Sequence, residues 1–266
     1  MPDVIDRRVL GAVEFLDATT HLPIRRPFYV RSDEARFLRN RSGRYVVADA
    51  KGLTHHTRAF TAPPPEPAPG SIPIDISVAD PSGAYLPRIA HLPLPRNPDP
   101  ANADHDDSLF RAAPVLMYRS ILSRQNLNWS VIRVFVHLED EQKTPVRGAL
   151  GIVTRAVNGG GVLAKGISNL RGEMLIAVPG IPITQFAGDD EDDEDSEDFA
   201  TGPVTVAETR VDLEIIVAPT LRWPVDPDVL EEHKNEWSRN HDNPKRLTLR
   251  TGMTVTTELP LEWENG

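Results

Sequence analysis

A few places in the chain crowd chemistry-bearing side chains together, and each implies a different chemistry. His55-His56 offers two imidazoles to a metal ion, but successive side chains of an extended strand point to opposite faces. The pair therefore reads as polar residues near a strand end. His105-Asp106-Asp107-Ser108 holds the residue types of a hydrolase triad in consecutive order. Triads are assembled from distant segments and recognised by geometry, so this stretch reads as linker polarity. His233 and His241 are too far apart for an i, i+4 zinc pair, and the chain has no HExxH, GxSxG or phosphate-cradling glycine loop. Gly159-Gly160-Gly161 precedes no helical pattern. With no cysteine, thiolate zinc sites, iron–sulfur clusters, disulfides and cysteine nucleophiles fall away together. Neither an enzyme nor a cofactor is expected.

The densest cluster is acidic: Asp189, Asp190, Glu191, Asp192, Asp193, Glu194, Asp195, Glu197 and Asp198, interrupted only by Ser196. It supplies nearly all of the formal charge of −10. It lacks the glycine-spaced loop that organises an EF-hand, so its candidate role is to grip a basic partner, with diffuse divalent-ion binding beside it. Otherwise such a run is a solvated, self-repelling loop. Exchanging residues 189–198 for a short Gly-Ser linker is expected to leave the fold intact and to weaken only salt-sensitive association.

The elements that would position these groups read as strands. Twenty-five prolines against 17 glycines suit edge strands and ordered turns better than helical bundles. Ile72–Val78 alternates cleanly, and residues 204–206, 211–217 and 253–261 are further strand candidates. Ala62 to Pro69 reads as a stiff polyproline spacer. One helix is predicted over about 227–239, with Pro227 at its first position, Asn243-Pro244 beyond its end, and Leu230 and Trp237 facing the second half. No basic stripe provides the footprint that a nucleic acid requires. No apolar run reaches bilayer length and no leader pattern opens the chain, so no membrane insertion is expected and the expected location is cytoplasmic, with release inside a particle as an extension.

The chain also repeats itself. Val13-Glu14-Phe15-Leu16-Asp17 leads through a polar turn to Leu22-Pro23-Ile24-Arg25; Phe135-Val136-His137-Leu138-Glu139 leads through an acidic turn to Thr144-Pro145-Val146-Arg147. Asn40-Arg41-Ser42-Gly43 and Asn169-Leu170-Arg171-Gly172 follow in the same order, each feeding a β-rich stretch. Pro23 with Pro145, and Gly43 with Gly172, are expected at equivalent positions.

These motifs resemble the carboxypeptidase regulatory-like branch of the transthyretin-like (Ig-like) β-sandwiches, with Val131 to Ile152 and Lys165 to Glu173 carrying the resemblance best. It implies seven-stranded domains that serve as accessory modules. Enzymes of the wider group use a C-terminal Tyr-Arg-Gly-Ser or paired tyrosine and histidine ligands. Here Tyr118-Arg119-Ser120 lies mid-chain without the glycine, and Tyr29, Tyr45, Tyr85 and Tyr118 show no such pairing. In style the tandem units also look similar to accessory components of phage-tail-like contractile particles.

The expectation is therefore an all-β chain of two tandem sandwiches: residues 1–103, a linker over 104–124, and 125–266 carrying the helix and an acidic loop over 188–199. Its expected function is structural or adaptor-like, with other protein subunits of an assembly as partners. The rival is a carbohydrate- or cell-surface-binding module stacking sugars on Trp129, Trp223, Trp237 and Trp263, against which Trp129 and Trp237 are expected to be mostly buried.

Overall fold

The computed structural model describes residues 8–59, 64–157, 160–186, 204–220 and 222–262, with the backbone alone for 185, 186, 204 and 205. The chain is all-β and divides into two units, Met1–Arg119 with Arg222–Val229, and Ser120–Leu221 with Leu230–Gly266.

In the first unit the strands are β1 (Gly11–Asp17), β2 (Tyr29–Arg31), β3 (Ala35–Arg39), β4 (Tyr45–Ala50), β5 (Ile72–Ala79), β6 (Arg88–Leu94) and β7 (Ala113–Met117), with a short helix α1 (Thr54–Arg58) after β4. One sheet runs β3-β4-β1-β7 and the other β2-β5-β6. Alternation decides which side chains meet. Val13 and Phe15 of β1 with Tyr45 and Val47 of β4 pack against Ile74, Ile76 and Val78 of β5 and Ala90, Leu92 and Leu94 of β6.

The second unit holds β8 (Ser130–Leu138), β9 (Leu150–Arg155), β10 (Val162–Ile167), β11 (Glu173–Val178), the hairpin β12 (Thr184–Phe186) and β13 (Val204–Val206), then β14 (Thr209–Ile216), β15 (Lys245–Leu249) and β16 (Thr254–Leu261). Its sheets are β11-β8-β16 and β10-β9-β14-β15, closed over Ile132, Val134, Met174, Ile176, Val211, Leu213 and Leu259. Between β14 and β15 lie helices α2 (Pro227–Glu232) and α3 (Lys234–Trp237); the division between the units falls inside α2.

The two units share a strand plan. The opening strand lies antiparallel to the strand after the glycine turn and parallel to the last strand, as β1 with β4 and β7 and as β8 with β11 and β16. Pro23 bridges Leu16 and Pro145 bridges His137. Ile24 N–H donates to the Phe15 carbonyl as Val146 N–H donates to Val136. Asn40 and Asn169 each accept, through Oδ1, the backbone N–H four residues on. Gly43 and Gly172 occupy the left-handed region at φ +89° and +73°, which a Cβ makes costly. One strand breaks the symmetry, since β3 pairs with β4 while β10 pairs with β9.

These contacts correct the sequence reading in particulars. Phe15 is the counterpart of Val136, not His137, because the second turn is one residue longer. The stretch 104–124 contains β7, whose residues Val115 and Met117 are buried in the first core. The helix predicted over 227–239 is two short helices broken at His233, whose backbone (φ −97°, ψ 17°) leaves the helical region. Leu230 is buried; Lys165 Nζ reaches Glu231 at 2.5 Å and Val217 N–H donates to the Trp237 carbonyl, two contacts that tie residues 231–237 to the second unit.

Candidate functional site

Strand β6 ends at Leu94, and the chain then crosses the start of β1, where Arg96 N–H donates to the Leu10 carbonyl. A Cβ on Gly11 would stand 2.9 Å from Arg96 Cγ and 3.2 Å from Leu94 Cδ2, so glycine at that point lets the arginine stem lie across the strand. Arg96 is only 5% exposed. Its Nε donates to the Ser108 carbonyl at 3.4 Å and its Nη2 to the Asp106 carbonyl. Burial pulls its pKa down, against the opposing field of Asp107 and Asp106.

Arg96 lines a cavity of about 200 Å³ together with Arg8, Val9, Leu10, His56, Leu109 and prolines 64, 65, 69, 95 and 98. His56 is 7% exposed and its Nδ1 is buried without a hydrogen-bond partner. Burial is the main cause that lowers its pKa below 6.5, the His55 charge adds to this, and the Pro67 backbone opposes it. Two cationic side chains, one neutral imidazole and proline walls make a pocket for a small anion with an apolar body.

The residues singled out in sequence are redistributed by the fold. His55 and His56 lie on α1 and not on a strand; His55 is exposed and His56 buried. His105 to Ser108 forms no triad: Ser108 is buried and lends Arg96 its carbonyl, while the Asp106 side chain stands in solvent 3.1 Å from Arg111. The proline run, read as a spacer, supplies part of the cavity wall. His241 approaches Glu214 at 3.2 Å, and the His233 ring stacks on Trp237 at 4.3 Å and 11°. Trp129, Trp223 and Trp237 are half-buried, with Trp129 packed over Val131, Leu175 and Ala177. Trp263, Gly159 and the acidic residues Asp189, Asp190, Glu191, Asp192, Asp193, Glu194, Asp195, Glu197 and Asp198 lie outside the described residues. Among the described residues no cluster of three or more His, Asp and Glu could hold a metal ion, and no helix is long and apolar enough to cross a membrane.

Two buried polar centres in the first unit escaped the sequence reading. Asp17 accepts from the Tyr85 hydroxyl at 2.6 Å and from the backbone N–H of Thr19 and Thr20, and pairs with Arg119 at 2.6 Å. Burial, and then Asp17, push the Tyr85 phenol far above its usual range. The second centre is Arg88, which is fully buried. Its guanidinium donates to the carbonyls of Ile89 and Leu116 and to the carboxylates of Asp226 and Asp228. Asp226 also lies 3.3 Å from His91 Nε2, and Ile89 N–H donates to the Val225 carbonyl. Residues 222–229 are thereby clamped to β6. Both centres are bound chiefly to main-chain groups and charged side chains of their own unit, so their chemistry is to hold turns and segments in place.

No protein-family model and no curated protein matches the chain. Among solved structures it is similar to the Bacillus anthracis TIE protein, with a TM-score of 0.25 and 8% sequence identity over 95% of this chain and 33% of that one. The chain thus spans about a third of that protein's length, and a likeness so low carries no argument about fold or activity.

Proposed function

We propose that this is a non-catalytic structural or adaptor protein that docks partner polypeptides within a larger assembly. The observation that carries the reading is a set of large apolar side chains in solvent at one end of the second unit. Leu127 is 91% exposed, and Ile183, Val206 and Met253 are exposed with it. Contacts gather their segments: a Cβ on Gly252 would stand 2.9 Å from the Leu127 carbonyl oxygen, Val131 N–H donates to the Met253 carbonyl and Ala207 N–H to Ile183, and the Thr251 hydroxyl donates to the Ile181 carbonyl at 2.5 Å. Scattered exposed leucines are ordinary on a monomer, whereas a gathered group marks an interaction surface. The resemblance to carboxypeptidase regulatory-like sandwiches, which serve as accessory modules, supports the same reading. A place in a phage-tail-like particle is its narrower form.

A photo-crosslinking residue at position 127 tests the reading in extracts of the native host. A discrete protein adduct is expected there, absent when the probe sits at exposed Phe110 and lost in an Ile183→Ser, Met253→Ser background. Equal labelling at positions 127 and 110 would overturn it. So would glycan binding that depends on Trp223.

A further inference from the structure

Resting on that adaptor reading, we propose that the cavity beside Arg96 receives the C-terminal residue of a partner polypeptide, with its carboxylate on Arg96, its amide N–H on His56 and its apolar side chain among the prolines.

Charge comes first. Among the described residues no carboxylate stands within ion-pair distance of Arg96; its protein partners are the carbonyls of Ser108 and Asp106. Asp106 and Asp107 attract it from farther off and Arg111 opposes them. A guanidinium has five N–H donors, so three remain for a ligand. An arginine in an apolar site is costly until an anion answers it, and a carboxylate matches its planar fork.

His56 selects which carboxylate. With the ring proton directed to the Pro67 backbone, Nδ1 presents a lone pair, and that atom is buried without a partner. A bare carboxylic acid at neutral pH offers it no hydrogen. The last residue of a polypeptide offers both functions side by side, a carboxylate to accept from Arg96 and an amide N–H to donate to His56.

Volume and walls set the side chain. About 200 Å³ exceeds a cavity of ~150 Å³ that admits one benzene ring and falls short of the roughly 300–1,000 Å³ of larger ligand sites. One Phe- or Leu-sized group fits, and five prolines with Val9, Leu10 and Leu109 give it apolar contact. Gly11 is the positioning residue, since its missing Cβ is what allows the Arg96 stem to lie where it does.

The test is a heteronuclear NMR titration of the full chain with N-acetyl-phenylalanine, its C-terminal amide, and phenylacetate. Millimolar binding of the first is expected, as suits so small a probe, with shifts centred on Val9, Leu10 and Leu109. The amide and phenylacetate should each bind at least tenfold more weakly. Arg96→Gln should abolish the shifts. Because a buried arginine also supports the fold, His56→Phe and Leu109→Trp are the companion variants: the first removes the acceptor, the second fills the cavity, and both should weaken binding by about tenfold with the spectrum otherwise folded. Equal binding of the amide, or of phenylacetate, overturns the chain-end assignment, as does the absence of any shift at those residues. Crosslinking at position 127 is scored separately, so a failed titration with an intact adduct rejects this occupant and leaves the adaptor reading standing.

Discussion

Arg88 is the side chain whose removal should be felt most. It is fully buried and its Nη2 lies 2.9 Å from Asp226 Oδ1 and 2.5 Å from Asp228 Oδ2. Burial already pushes the Asp226 carboxyl up, with Arg88 opposing. Arg88→Met strands that carboxylate, and breaking one side of a buried pair costs about 3–5 kcal/mol. Chemical denaturation should show that loss, limited proteolysis should find residues 222–229 newly cleavable, and a second change, Asp226→Asn, should recover part of it. Arg88→Met at wild-type stability would sink the clamp. His56 makes a prediction of opposite character, about pH. Its native pKa lies below the ordinary 6.5, so as pH falls through 6.5 the unfolded chain takes up a proton first. Stability must then drop with falling pH until the native imidazole also protonates. His56→Gln should flatten that part of the thermal midpoint's pH profile; a profile unchanged by the substitution would show that His56 is not its source.

Among elements, the two glycine turns offer a matched comparison. Gly43 and Gly172 have the same backbone sense, but a Cβ on Gly43 meets nothing nearer than 3.5 Å, whereas one on Gly172 lies 2.3 Å from the Val136 carbonyl oxygen. Gly43→Ala should cost about 1–2 kcal/mol, the strain of the left-handed region alone. Gly172→Ala must also displace a backbone carbonyl and should cost distinctly more by urea unfolding; equal costs would refute the collision. This turn was legible in sequence because asparagine, glycine and a β-rich stretch are local signals, and so were the alternating strands 72–79 and 254–261. The cavity was not. Its parts come from residues 8–10, the α1 segment, the proline run, the end of β6 and Leu109, and no periodicity records that they meet. Polarity also misled: His105 to Ser108 looked like linker because its use lies in two main-chain carbonyls, which every residue possesses. The acidic residues at 188–199 lie between β12 and β13, whose antiparallel pairing joins Phe186 to Val204.

At the scale of the molecule, the first unit is not one stretch of sequence, since Arg222–Val229 belongs to it. A fragment ending at Arg119 keeps both sheets but loses Asp226, Asp228 and the Val225 carbonyl that holds Ile89. Hydrogen exchange at Ile74 and Ile76 should therefore be faster in that fragment than in the intact chain, and Arg88→Met should slow it again by removing the uncompensated charge. Equal protection in fragment and chain would count against the role of the segment. The same arrangement fixes an order of events at the ribosome. The first unit's strands have all emerged roughly a hundred residues before its last segment is made, an interval of roughly 5–20 s at ordinary elongation speeds. Throughout it the nascent chain carries a guanidinium awaiting its carboxylates, so the N-terminal unit, translated first, stays incomplete until most of the second unit has been made.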